Sequence, residues 1–147
     1  MTTHTLPLYR SAVLAGDLLF VSGQLPVHDG SLIHPGRVGS EVTVDDAREA
    51  ARLATHNCLR VARDFDGGAR EVQSVVKLSG YVCVSTGFSD APTVIDAASQ
   101  VVNDEIGGAD GHARLAIGVA SLPRNACVEV EMVVRLAPSE TPAAVGS

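Results

Sequence analysis

Hydrophobic and polar residues alternate in several short stretches of the chain, as they do in half-buried strands. These stretches are rich in β-branched residues and are bounded by turn-forming Gly, Pro, Asn or Asp. They cover residues 9–14, 17–22, a short strand or loop at 30–36, and residues 72–84, 112–120 and 126–136. The turn at 15–17 predicts that the first two form a hairpin.

Two longer stretches have apolar side chains at spacings of three and four, which is typical of amphipathic helices. The first begins at the N-cap candidate Thr43, is about 20 residues long, and ends at the glycines 67 and 68. Its apolar stripe consists of Ala47, Ala51, Ala54, Cys58, Val61 and Phe65.

The second helix has Asp90 as its N-cap candidate and Pro92 in its first turn, and it ends at the glycines 107 and 108. Its inward positions are Val94, Ala97, Ala98, Val101 and Val102. The resulting order β-β-β-α-β-α-β-β predicts an α+β domain with two helices packed on one face of a single mixed sheet.

Alternation in the last two strands predicts which side chains face the helices. In strand 126–136, valines and Met132 form one face and Glu129 and Glu131 lie on the other. In strand 112–120 we assign the face with Leu115 and Ile117 to the helices. Arg114 then lies on the opposite face among alanine and glycine, where an arginine in a hollow is an anion receptor.

Composition narrows the classes of function. The 147 residues include 46% hydrophobic and 19% charged residues, enough for one core, and the net charge is −6. An acidic chain with five aromatic residues is a poor match for nucleic acid, and no apolar run is long enough for a membrane span. A mean hydropathy of +0.20 indicates that some apolar surface is buried against other subunits.

We expect a cytoplasmic protein whose residues 1–137 form one domain, with a short flexible tail at 138–147.

The cysteines and histidines do not have the spacing of a metal site. The chain has three widely separated cysteines, Cys58, Cys83 and Cys127. Because a disulfide framework needs an even number, we expect reduced, buried thiols. The histidines at 28, 34 and 56 are not spaced like the ligands of a metal site. We therefore expect neither a metal nor a cofactor. Asn57 is interpreted as a core amide, and the glycines at 107, 108 and 111 as turn residues.

Three segments resemble the Rid family of reactive-intermediate deaminases, also called the YjgF-type family. They are VSGQLP at 21–26, Ala-Arg at 113–114, and SLPRNACVEVE at 121–131. The resemblance runs from Tyr9 to about Arg135. It implies a chorismate-mutase-like fold and a homotrimer with clefts between subunits. It also implies hydrolysis of enamines or imines to 2-keto acids and ammonia.

The resemblance also implies roles for individual residues. Arg114 would grip the substrate carboxylate, and Glu129 would orient the attacking water. Tyr9 and the pair Ser22 and Gly23 would line the cleft.

The chain departs from the family pattern at four positions around this cleft. Leu115 stands where Ser or Thr is usual, and Ala116 replaces the cysteine of the deaminating branch. Ile95 falls near the cleft asparagine, and His112 stands in a glycine-rich approach at 107–112 that usually contains proline. These changes resemble a divergent branch, and we expect a more apolar cleft that prefers bulkier or less polar substrates than 2-aminoacrylate.

The residues themselves leave alternatives open. Arg114 could be a structural partner of Glu129 or Glu131 across the sheet, and Glu129 beside an arginine would keep a low pKa. His112 could be a proton carrier, or a loop-end histidine that faces water or the subunit boundary. Three functions remain: a hydrolytic deaminase, a protein that binds a small carboxylate metabolite without turnover, and an endoribonuclease, which the acidic charge disfavours.

Overall fold

The computed structural model describes residues 8–107 and 111–139. Within them lie two α-helices, α1 (Val44–Asp64) and α2 (Ala91–Glu105). The strands are β1 (Ala12–Ala15), β2 (Leu18–Gln24), β3 (Val27–His28), β4 (Ser31–Leu32), β5 (Val72–Cys83), β6 (Ala113–Val119) and β7 (Val128–Leu136).

One mixed sheet carries both helices. Its strand order is β1-β2-β7-β5-β6, in which β5 and β6 are parallel and the other pairs antiparallel. The helices pack on one face, so the predicted α+β architecture is confirmed. The short strand expected at 30–36 is instead a separate hairpin, in which β3 pairs with β4. The predicted tail largely lies outside the described residues.

Local sequence sets the start of α1 as predicted. The Thr43 side chain accepts a hydrogen bond of 3.1 Å from the backbone N–H of Asp46, which satisfies one of the free donors of the first turn. The small residues Ala47, Ala51, Ala54 and Cys58 are fully buried and bring the helix close to the sheet.

Helix α2 differs from the prediction at its N-terminus. Asp90 occupies the N-cap position, but its carboxylate accepts a hydrogen bond of 2.7 Å from the Thr93 hydroxyl rather than from a backbone N–H. The predicted inward face is buried, and Ile95 is buried with it. A Cβ added to Gly80 of β5 would collide with the Ile95 side chain. Ile95 therefore fills the space above a glycine in the core.

The predicted orientation of β6 is wrong. Because β6 runs parallel to β5 with Arg114 beside Leu78, the two side chains share a face, and Leu78 is fully buried beneath the helices. Arg114 and Ala116 therefore face the helix side of the sheet. Leu115 and Ile117 lie on the opposite face and remain 37% and 40% exposed. The error arose because β6 has apolar residues on both faces, and the larger ones do not face this chain's own helices.

The sheet face opposite the helices, hereafter the open face, is partly apolar. Val13 and Phe20 are 56% and 49% exposed on it, and they line a hollow of about 470 Å³ together with Lys77 and Glu131. Large exposed apolar patches on a globular domain mark surfaces that bind another molecule.

The three cysteines are free and buried, as predicted. Burial raises the pKa of the Cys127 thiol to about 12 and that of Cys58 still further, so these thiols are inert. Neither described helix combines the length and apolarity that crossing a membrane requires.

Candidate functional site

Arg114 lies at the β6 edge of the sheet, on the side covered by α2. Its Nη1 donates a hydrogen bond of 2.6 Å to Asp96 Oδ1 and a longer one of 3.4 Å to Ser99 Oγ. The arginine side chain keeps 28% of its surface exposed, and the Asp96 side chain keeps 55%. The alternative in which Arg114 pairs with Glu129 or Glu131 of the same chain is wrong, because its carboxylate partner, Asp96, comes from α2. An exposed arginine in this setting can bind an anion.

His112 continues this cluster. Its Nε2 lies 2.9 Å from Ser99 Oγ, and its Nδ1 is buried with no hydrogen-bond partner among the described residues. Burial and the nearby Arg114 charge lower the pKa of His112, so the imidazole is neutral at neutral pH. His112 therefore does not face only water, while a place at a subunit boundary and a role as proton carrier both stay predictions.

Sequence reasoning missed Asp96 and Ser99. They are three residues apart on α2 and so lie on one side of the helix. This spacing, beside a strand that carries Arg114, was the available signal.

Glu129 lies on the open face, so it does not share a cleft with Arg114 within one chain. A Cβ on Gly23 would collide with the Glu129 carboxylate, which shows how closely this carboxylate lies over the β2 backbone. Burial and the negative charge of Glu131 raise the pKa of Glu129, contrary to the low value expected beside an arginine. Glu131 in turn accepts a hydrogen bond of 2.9 Å from the Tyr81 hydroxyl.

The raised pKa of Glu129 predicts a specific dependence of stability on pH. The folded state binds the Glu129 proton more tightly than the unfolded state, so ionisation destabilises the fold and stability falls as pH rises through the folded pKa. We expect Glu129→Gln to have a higher Tm than the unaltered protein at pH 7. The difference should shrink towards about pH 4. A Tm difference that is constant across this range, measured by thermal melting, would contradict the assignment.

The contact between Gly23 and Glu129 gives a second prediction. Gly23→Ala should displace the Glu129 carboxylate, because the added methyl group occupies its place. The end of a glutamate side chain moves easily, so Tm should change by only a few degrees. Any reaction that uses Glu129 should slow about tenfold or more. Unchanged turnover in Gly23→Ala would show that the position of this carboxylate does not matter.

The remaining predicted site residues lie in different places. Ser22 is next to Gly23, and its hydroxyl donates a hydrogen bond of 2.6 Å to the Arg10 carbonyl. Tyr9 is 75% exposed near β1, at the sheet edge opposite Arg114, where it lines a hollow near the end of α1. Ala116 packs partly against the core beside Arg114. Ile95 is fully buried and does not line a surface cleft. The expected preference for bulkier substrates rested on Ile95 and Ala116, and only Ala116 still supports it.

One histidine lies among carboxylates elsewhere on the surface. His34 Nε2 is 3.0 Å from Glu49, and its Nδ1 is 3.8 Å from Asp46. These groups are close enough together to hold a metal ion. The two carboxylates contact opposite nitrogens of the ring, however, and this arrangement fits an ion pair better than a shared metal.

The fold is an α+β sheet with two helices on one face, and a partly exposed arginine lies at its β6 edge. The family model described as "YjgF/chorismate_mutase-like, putative endoribonuclease" matches residues 2–136. The chain belongs to this family, and the resemblance drawn from its sequence is confirmed.

Three relatives illustrate the family. Protein TCP17 of Trypanosoma cruzi is 37% identical over 129 residues, which cover 87% of this chain and 81% of that protein. A 2-iminobutanoate/2-iminopropanoate deaminase of Dermatophagoides farinae is 26% identical and covers 86% and 84%, respectively. The crystal structure of Atu1372, a protein of unknown function from Agrobacterium tumefaciens, superposes with a TM-score of 0.85 at 35% identity, covering 91% of this chain and 86% of that one.

Proposed function

We propose that the chain is a cytoplasmic hydrolase that converts imines or enamines of 2-amino acids into 2-keto acids and ammonia. The observation that carries the proposal is the partly exposed Arg114, which already binds a carboxylate, that of Asp96. A guanidinium that pairs with a side-chain carboxylate in this place can pair with a substrate carboxylate. The deaminase among the relatives supports the choice of reaction.

The proposed chemistry uses two groups of this chain. The substrate carboxylate binds Arg114, and water attacks the imine carbon while Glu129 accepts a proton from it. The C–O bond forms as the electron pair of C=N moves to nitrogen. Glu129 returns this proton to the nitrogen, which gives a carbinolamine. The hydroxyl proton of the carbinolamine then passes through Glu129 to the nitrogen, the C–N bond breaks, and ammonia leaves as the carbonyl forms. An enamine first takes a proton on its β-carbon. A carboxylate with a raised pKa is the better proton acceptor for this step.

This mechanism requires more than one copy of the chain. Arg114 lies on the helix side of β6, Glu129 lies on the open face, and Tyr9 is at the opposite edge of the sheet. We place the reaction in a cleft between neighbouring copies, where Arg114 of one meets the open face of the next. The exposed apolar residues of the open face support such an assembly. The resemblance to the family supports an assembly of three copies.

Assembly gives a direct prediction. Multi-angle light scattering at micromolar concentration should return three times the chain mass of 15.2 kDa. The mass should persist on dilution, because partners that cover an apolar face bind tightly. A stable monomer would contradict both the assembly and the shared cleft.

The reaction itself is tested with 2-aminoacrylate generated in situ. In the presence of semicarbazide, a deaminase lowers the amount of trapped imine because it hydrolyses the intermediate first. A protein that binds carboxylates without turnover leaves the trapped amount unchanged while still binding pyruvate. The endoribonuclease alternative is disfavoured by the net charge of −6, since RNA binding relies on basic surfaces.

A further inference from the structure

We propose that Asp96 is a positioning residue that fixes the orientation of the Arg114 guanidinium for a ligand carboxylate. This inference rests on the proposed carboxylate site and adds the reason why the arginine is held ready for its ligand. Asp96 lies on α2 and Arg114 on β6, so their contact joins a helix to the edge strand.

The geometry of the guanidinium carries the argument. Both of its hydrogen bonds, to Asp96 and to Ser99, use Nη1. Neither Nε nor Nη2 has a hydrogen-bond partner in the part of the chain that the structure describes. Nε–H and one Nη2–H are parallel donors on a single edge, the edge that binds a carboxylate through both oxygens. Asp96 therefore occupies one side of the arginine and leaves its bidentate edge for a ligand.

Ser99 and His112 brace this arrangement. Ser99 Oγ lies between Arg114 Nη1, at 3.4 Å, and His112 Nε2, at 2.9 Å. The neutral imidazole can accept from the serine hydroxyl, so the serine oxygen is free to accept from the arginine. Asp96 and Ser99, the latter held in place by His112, thus limit the rotation of a long and otherwise mobile arginine. A pre-oriented arginine loses less conformational entropy when its ligand binds.

Asp96 is well placed for a test that separates positioning from folding. Its side chain is 55% exposed, and ion pairs at such exposure add little to stability. Asp96→Ala removes the acceptor, whereas Asp96→Asn keeps an acceptor oxygen and removes the charge. Asp104, which is also exposed on α2 and forms no ion pair among the described residues, provides the matched control Asp104→Ala.

The experiment measures the affinity of each variant for pyruvate and for its uncharged amide, pyruvamide, by calorimetry, together with Tm. We expect Asp96→Ala to weaken pyruvate binding about five- to tenfold and pyruvamide binding less than about twofold. The reason is that only pyruvate has a carboxylate to bind the oriented bidentate edge of the guanidinium. Asp96→Asn should stay within about twofold of the unaltered protein, since its amide oxygen still accepts from Nη1. Asp104→Ala should bind normally, and Tm should change little in all three.

Two results would overturn the positioning role. Tighter pyruvate binding in Asp96→Ala would show that Asp96 competes with the ligand, and unchanged binding would show that Asp96 does not orient Arg114. Equal weakening by Asn and Ala would show that its charge matters rather than its acceptor position. Arg114→Ala separates the two proposals. If Arg114→Ala abolishes pyruvate binding and Asp96→Ala leaves it intact, only the positioning role fails. If Arg114→Ala also binds pyruvate normally, the carboxylate site itself fails, and this inference with it.

Discussion

Replacing Arg114 by alanine is expected to lower kcat/KM for an imino acid, or the affinity for a carboxylate, by roughly 30- to 1,000-fold. A charge-assisted bidentate contact in a partly dry cleft contributes about 2–4 kcal/mol, and alanine removes the charge and the fork together. Arg114→Lys keeps the charge but presents it as a single point. It should therefore recover only part of the loss.

Stability distinguishes this role from a structural one. The partner of Arg114 is the half-exposed Asp96, so removing the arginine leaves that carboxylate solvated and Tm should fall only slightly. Arg52→Ala, at an exposed position of α1, controls for the lost charge and should bind carboxylates normally. A large drop in Tm for Arg114→Ala with unchanged affinity for every carboxylate tested would mean that the arginine only supports the fold.

The fold could be predicted from the sequence because its helices and most of its strands repeat one clear pattern. Strand β7 alternates cleanly, and the predicted inward residues Val128, Val130, Met132 and Val134 are all buried. The small hairpin of β3 and β4 was not predicted, because a strand of two residues is too short to show an alternating pattern.

The orientation of β6 could not be predicted from its pattern alone. The face with Leu115 and Ile117 is the more apolar one, and the rule that apolar faces pack on helices placed it inward. In the structure, the small residues Ala116 and Gly118 face inward, and a Cβ on Gly118 would collide with Val84. In the proposed assembly another copy covers this edge strand, which then needs apolar residues on both faces. A single-chain pattern does not tell these two faces apart.

The candidate site was predicted only in part, because its geometry depends on which face of β6 carries Arg114. Arg114 was found from its small neighbours and its motif, but its partner on α2 depends on how the helix packs over β6. Glu129 was expected beside an arginine because both were placed on one face. In the structure Arg114 lies on the other face of β6. Glu129 is instead affected by burial and by the negative charge of Glu131, so its pKa rises rather than falls.

Placing a charge on the open face is expected to dissociate the assembly completely. Phe20 lies on β2 and is 49% exposed, so Phe20→Glu costs the isolated chain little. In an assembly that covers this face, each copy would bury a second carboxylate beside Glu131, and the one lysine of the hollow, Lys77, cannot compensate both. An unpaired buried charge costs several kcal/mol per copy, which outweighs what a moderate interface supplies. Light scattering should therefore return the single-chain mass of 15.2 kDa.

Activity should be lost together with the assembly. Phe20 is on the part of the sheet away from Arg114, with β7 and β5 between β2 and β6. Loss of turnover in Phe20→Glu would therefore follow from the missing neighbour rather than from a disturbed arginine. Phe20→Leu keeps the face apolar and should retain the assembled mass. Gln100→Glu, on the exposed side of α2, makes the same gain of charge and should also assemble. A Phe20→Glu protein that keeps the assembled mass would show that the open face is not the surface that joins the copies.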